Sequence, residues 1–364
     1  MASVEPHTAP YENNPFAWDV ADENGDLPAE PYNELRFLSK LLFVNYTITS
    51  VGGGIASFLL LYLVLFKTLG TLKQYQNMLL ICCATDLWYW SVDNFMYMKL
   101  GEKDGVLIVQ MDGLAGFLNH RYRILTISTY MWTICMVNAM LPVQLYFRYY
   151  SLSRNAFLST RQTLGLSFLS LLATLPEFIV AVISFSTSPM ERPGFNYGTL
   201  WFKEYPLPPL VFGDVRSNYH KALFLYGGLV ISVSHLLSTV IGYKTWCQIR
   251  QMHDSYSERT RRLQKQLTNF MIVQVVTPLF ISVIPVMTIV IPSFLFIDTG
   301  RICLYSALMF SWIPVFNPVI TITVIVPFRR FVLGVVTRKR GLVHTGHTKS
   351  DSPNPRSATD LVVA

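Results

Sequence analysis

Three acidic residues, Asp86, Asp93 and Glu177, stand inside long apolar stretches that contain no Lys or Arg. Ionisable groups in such surroundings are costly, and they mark proton, ion or ligand sites or polar clasps between helices. Asp86 and Asp93 are seven residues apart, two helical turns, so they share one face. Asp86, the deeper of the two, is expected to meet Asn317 and to hold a sodium ion, a water or a proton there. The other reading of that pair is a structural clasp with no switching role. Glu177 follows Pro176 and is expected to cap backbone groups that the proline frees. Arg148 closes the run Leu141-Pro-Val-Gln-Leu-Tyr-Phe-Arg148-Tyr149-Tyr150. Its position alone fits an interfacial positive charge among aromatic-belt tyrosines. Phe147 and Tyr149 flank it, so any restraint on its guanidinium must come from another helix, from carbonyls or from the Tyr146 and Tyr150 hydroxyls.

These groups need helices to position them. A spanning helix takes roughly 20 mostly apolar residues, and such windows occur seven times. They are 47–66, 77–98, 124–147, 163–185, 222–243, 271–294 and 302–326, and all 29 Lys and Arg lie outside them. In hydrocarbon each segment must satisfy its own backbone hydrogen bonds, so the fold class is an all-α membrane protein, a seven-helix bundle. The apolar share is 51% and the charged share 14%, against about 25% charged in soluble domains. A net charge of +7 is compatible with nucleic-acid binding, but its distribution fits a bilayer. Eleven Lys and Arg fall on the side of the N-terminus and 18 on the other, whereas the acids divide 15 to 4. Excess Lys and Arg marks the cytoplasmic face. Residues 1–46 are therefore expected to be an extracellular acidic tail, 47–330 the bundle, and 331–364 a disordered cytoplasmic tail. The protein is expected to be a multi-pass plasma-membrane protein with its N-terminus outside.

The prolines are arranged for bending: Pro278, Pro285 and Pro292 recur every seven residues in the sixth window, and Pro314 and Pro318 interrupt the seventh. Each removes a helical hydrogen bond, giving either hinges or static kinks. The outer segments 99–123 and 186–221 exceed simple helix connections. The second, rich in aromatics and prolines, reads as a folded lid or as an irregular surface loop. A small-molecule pocket between the outer halves of the helices is offered by Asp93, Tyr97, Tyr130, Trp132 and Met287. On the inner side Arg261, Arg262 and Lys265 form a basic coupling surface for acidic lipid or a protein partner. Asn45-Tyr-Thr47 is the single glycosylation sequon, close to the membrane. Among five cysteines only Cys303 lies near the outer face, so no outer disulfide is expected. The windows contain no lysine for a retinal Schiff base, no spaced metal ligands and no recognisable catalytic setting. No enzyme activity, cofactor or metal is expected. The absence of an internal repeat counts against a transporter of duplicated halves.

Several segments together resemble a known family. They are Gly242-Tyr-Lys-Thr-Trp246, Ser257 to Leu267, Gln274-Val-Val-Thr-Pro278 with Ile284-Pro285, Phe147-Arg148-Tyr149, and Asn317-Pro318 with Phe328-Arg329-Arg330. They are similar to the nematode seven-transmembrane chemoreceptors of the Str superfamily. Phe66-Lys-Thr68, Lys73-Gln-Tyr75 and Arg192 to Trp201 look most like its delta class, Srd. The resemblance implies a chemosensory G-protein-coupled receptor of sensory cilia, with a small-molecule ligand and a heterotrimeric G protein as partners. It makes Arg148, as the central Arg of the third-helix ending, a switch residue. Thr321 stands where rhodopsin-type receptors carry the tyrosine of Asn-Pro-x-x-Tyr. The alternative reading is a seven-helix ligand-gated cation channel of inverted topology, which the charge asymmetry opposes.

Overall fold

The apolar windows are helical, the seventh as a bent pair of helices, because a helix meets all its backbone hydrogen bonds within one segment. The computed structural model describes residues 36–68, 73, 75–154, 156–200, 210–251, 272–299 and 302–341. Helices α1 (Arg36–Phe66), α2 (Gln76–Met96), α3 (His120–Arg154), α4 (Thr160–Thr187) and α5 (Asn218–Gln251) come first. They are followed by α6 (Ile272–Leu295) and by a bent pair, α7 (Ile302–Phe310) and α8 (Ile313–Val324), whose axes differ by 41°. Five of these helices and the bent pair are long and apolar enough to cross a bilayer. The seventh is α2, diluted by Asp86 and Asp93; its 21 residues cover about 31 Å, enough for the hydrocarbon core. Outward-facing Phe43, Ile48, Ile55 and Phe58 of α1, Phe168, Leu169 and Leu172 of α4, and Leu225, Leu229 and Leu236 of α5 are exposed. In water that surface would be a large apolar patch; in a membrane it meets lipid.

At the centre of the bundle, α3 packs against α2, α4 and α5, while α1 packs on α2 and α8. A capping box starts α4: the Ser159 hydroxyl accepts from the Gln162 amide, and the Gln162 side chain accepts from Ser159 N. At the outer end of α2, Tyr97 adopts a left-handed φ of 41° and turns the chain into a β-hairpin. Strands β1 (Met98–Lys103) and β2 (Val106–Met111) pair antiparallel, and β3 (Leu210–Asp214) adds to β2. The hairpin turns on Asp104 (φ 52°) and Gly105 (φ 70°), the two positive values that a two-residue turn needs. A Cβ on Gly105 would lie 2.7 Å from Phe296 and Val215. Alternation gives the sheet two apolar faces. Met98, Leu100, Leu107, Val109 and Val211 join the main core of the bundle. Val106, Ile108, Leu210 and Phe212 pack outward against Tyr197, with Phe195 and Leu200 beside it.

Three boundaries differ from the sequence reading. Helix α1 begins at Arg36, so 36–46 belong to the bundle and not to the outer tail; Leu38 and Leu42 are buried with Leu304. The apolar window had located the hydrocarbon core, not the end of the helix. On the inner side, α9 (Val326–Gly341) extends eleven residues into the segment expected to be a disordered tail. It buries Phe328, exposes Arg329 and Arg330, and sets Lys67 over the Phe331 ring. The outer segments also fold into a sheet, with the lid element Tyr197–Leu200 over it.

Candidate functional site

The outer half of the bundle holds a partly open cavity of about 50 Å³ beneath the sheet, where Met98, Leu100 and Leu107 form the roof. Tyr130 of α3, Leu223 and Phe224 of α5, Ile289 and Val290 of α6 and Phe310 of α7 line it. Tyr130 donates to Asp93 Oδ1 at 3.2 Å and lies 3.0 Å from the Tyr89 hydroxyl, which also reaches the Phe310 carbonyl at 3.1 Å. A hydrogen-bonded chain of buried groups therefore joins α2, α3 and α7 beside the cavity. Of the five residues expected to form the pocket, Tyr130 lines this cavity, and Asp93 stands behind it. The other three point elsewhere. Trp132 Nε1 donates to Thr174 Oγ1 of α4 at 3.1 Å, Tyr97 stacks edge-on against Tyr46 of α1 at 4.4 Å, and Met287 is absent from the lining. The third window is apolar almost all round, so periodicity could not choose its inward face.

No disulfide holds the roof, since all five cysteines are free thiols. Ion pairs do so instead. Arg192 reaches Asp104 at 3.0 Å and Asp214 at 3.2 Å, and Arg216 reaches the same two carboxylates at 3.0 and 3.5 Å. Tyr197 donates to Asp214 Oδ2 at 3.2 Å. Burial pushes Asp214 up to about 6 against the pull of Arg192, and it pushes Tyr197 well above the ordinary phenol range. Glu102, on the bundle face of β1 and 3% exposed, has both carboxyl oxygens without a hydrogen-bond partner among the described residues. Burial raises it to about 7.

A second cavity of about 50 Å³ lies in the inner half, lined by Asp86, Asn138, Ser282, Asn317 and Thr321. The contact expected between the second and seventh spans is present: Asn317 Nδ2 donates to Asp86 Oδ1 at 2.9 Å. Asn138 of α3 donates to Ser282 Oγ of α6 at 2.8 Å. A volume of this size takes a few waters, and its walls supply the polar partners they need. Pro278 lines the cavity and immediately precedes a π-helical turn, Leu279–Val283; Pro285 opens the next α-helical stretch, and Pro292 lies in its last turns. A π turn leaves the regular ladder locally broken, so the interruption of α6 falls at 279–283. The break in the seventh span falls at Ser311 and Trp312, just ahead of Pro314 in the first turn of α8, where a proline's missing N–H costs nothing. Pro318 is buried further along α8.

Below this cavity Arg148 donates to Gln274 Oε1 of α6 at 2.8 Å, and Gln274 Nε2 donates on to Gln144. Arg148 is thus held from another helix, by a neutral amide. Tyr149 is half-buried beside it. Arg261, Arg262 and Lys265 lie outside the described residues. Asn138 and Ser282 carried no motif, although an amide deep in an apolar window was the available signal for Asn138; Gln144 and Gln274 stood in quoted segments without a role of their own.

Two residues have surroundings that the sequence did not suggest. The Asn45 amide is engaged inside the bundle: Nδ2 donates to Ser311 Oγ at 2.9 Å and Oδ1 accepts from Trp312 Nε1 at 3.1 Å. The sequon is helical, and its amide is built into the break of the seventh span. Glu177 does not cap the backbone freed by Pro176. It is buried, and its Oε2 has no hydrogen-bond partner among the described residues.

Squid rhodopsin has the same fold: its crystal structure matches with a TM-score of 0.56 at 12% identity, covering 88% of this chain and 90% of that one. No curated protein sequence matches. Residues 42–334 match the profile of the serpentine-type 7TM GPCR chemoreceptor family Srd. The chain therefore belongs to the Srd family of serpentine seven-transmembrane chemoreceptors.

Proposed function

We propose that this receptor binds a small environmental chemical in the roofed outer cavity and passes the signal to a heterotrimeric G protein at its inner face. The observation that carries this reading is the disposition of α6. Ile289 lines the outer cavity, Gln274 and Ser282 line the inner one, and the π turn, which carries Ser282, lies between Gln274 and Ile289. A ligand pressing on Ile289 works against a helix already broken below it. Movement there separates Asn138 from Ser282 and Gln274 from Arg148, which opens the inner ends of α3 and α6. Bistable packing of this kind amplifies small shifts at a ligand site. Arg148 then becomes available to the partner, with Arg261, Arg262 and Lys265 as the basic coupling surface. In the resting arrangement Asp86, Asn317 and the inner cavity hold water or a proton.

On this reading the protein works in the plasma membrane of a sensory cilium with its N-terminus outside, as its Lys and Arg distribution and its family resemblance suggest. The test is a calcium or cAMP response to an odorant panel in cells expressing the full chain, with an N-terminal epitope read on intact cells. A response with external staining is expected. Staining only after permeabilisation, together with a cation current and no second messenger, would favour the inverted-channel reading.

A further inference from the structure

We infer that Glu177 is the ligand-recognition group of the outer cavity and that the ligand is a small aliphatic amine bound as its ammonium. This rests on the proposed use of that cavity and adds the chemical class. Glu177, 4% exposed, stands in the cavity wall on α4, with no hydrogen-bond partner for Oε2 among the described residues. A buried polar group without a partner is costly and is retained where something else supplies the partner.

The opposing helix is shaped to leave room for it. A Cβ on Gly227 of α5 would lie 2.8 Å from Glu177 Oε1, and Gly228 beside it also lines the cavity. The two helices are pinned one turn away, where the Tyr226 hydroxyl donates to the Ala173 carbonyl. The gap at Gly227 is therefore not closed by sliding. The walls offer Glu177 little: no Lys, Arg or His lines the cavity, the Tyr130 hydroxyl is committed to Asp93, and the Cys135 thiol is a weak donor. The remaining surface is apolar, with Phe224, Ile231 and Ile289.

A site of one carboxylate among alkyl and aromatic walls fits one cationic head and a short alkyl body. An ammonium brings three donors and the opposite charge, making charge-assisted hydrogen bonds among mostly apolar walls. An alcohol brings one neutral donor, and a carboxylic acid brings like charge. The volume, a few waters' worth, sets the body at about four to six heavy atoms.

The test uses the full-length receptor in nanodiscs, with thermal unfolding read against isoamylamine, isoamyl alcohol and isovaleric acid. Isoamylamine should raise the unfolding midpoint saturably, with an affinity about tenfold or more above that of the alcohol, and the acid should do nothing. Glu177→Gln should weaken amine binding by about tenfold or more. Should that variant fold poorly, Gly227→Ala, which crowds the carboxyl without removing its charge, should weaken it in the same direction. An amine no tighter than the alcohol, or amine affinity unchanged in both variants, overturns the inference. Amine binding in nanodiscs without a second-messenger response in cells would leave it standing and sink the signalling reading. A cellular response to non-amines that Glu177→Gln leaves unaltered would do the opposite.

Discussion

Glu102→Gln should stabilise the receptor at neutral and alkaline pH and remove part of its pH dependence. In the folded protein the Glu102 carboxyl is raised from the ordinary value of 4.5 to about 7 by burial. Between those two values the folded state holds a proton that the unfolded chain has released, so stability falls as pH rises through this window and levels off above it. At 1.36 kcal/mol per unit, the whole loss is roughly 3 kcal/mol, with about 1 kcal/mol of it falling between pH 6 and 8. Asp214, raised only to about 6, contributes its own loss mostly below that interval. For a chain of 364 residues about 1 kcal/mol is worth some 1–2 °C in the midpoint. The assay is thermal unfolding in detergent, reported by a thiol-reactive dye, since the five cysteines are free and Cys83, Cys135 and Cys303 are buried. Between pH 6 and 8 the wild-type midpoint should fall by about 1–2 °C relative to that of Glu102→Gln, since the buried imidazoles of His120 and His220, lowered to about 4 and about 3, act alike in both proteins. Equal slopes in the two proteins would show that Glu102 meets a charge partner or solvent, and would refute the reasoning.

Arg148→Lys should insert normally yet lose most ligand-driven signalling, because the lysine loses the planar fork that reaches Gln274 and a partner; reporter output normalised to surface expression checks this. Gln274→Ala, which removes the amide that joins Arg148 to α6, should raise basal signalling in the same assay. Gly105→Ala forces an alanine into φ 70° against Phe296 and Val215 and should cost about 1–3 kcal/mol, read as a lower unfolding midpoint with the roof loosened. Asn45→Ala should destabilise by about 1–2 kcal/mol through its two lost hydrogen bonds, and endoglycosidase treatment of wild type should give no mobility shift. Reversing Arg261, Arg262 and Lys265 to Glu should abolish signalling while surface staining persists.

Much of the bundle was legible because hydropathy reports hydrocarbon thickness directly, and buried acids in a helix can be placed by counting turns. Asp86 and Asn317 could be paired in this way because both lie deep in their spans. The roof was harder. Asp104-Gly105 between alternating apolar residues is a hairpin signal, but β3 comes from Leu210–Asp214, about a hundred residues later, and no local pattern announces that pairing. Glu177 was misread because its neighbour Pro176 offered a local explanation. Its true surroundings depend on the register of α4 against α5, where Gly227 leaves the space. Asn45 carried a three-residue pattern whose meaning changes once α1 extends to Arg36 and turns that amide toward Trp312. Trp132 shows the limit of reading faces on a helix that packs on several sides.

The central claim is that occupancy of the outer cavity drives opening at the inner end. It is tested most directly by nucleotide exchange on a purified heterotrimeric G protein, with wild-type receptor in nanodiscs and with Ile289→Trp, which fills the cavity. An activating ligand from the panel should accelerate exchange in wild type and leave Ile289→Trp at its basal rate. Equal acceleration in both receptors would contradict the claim.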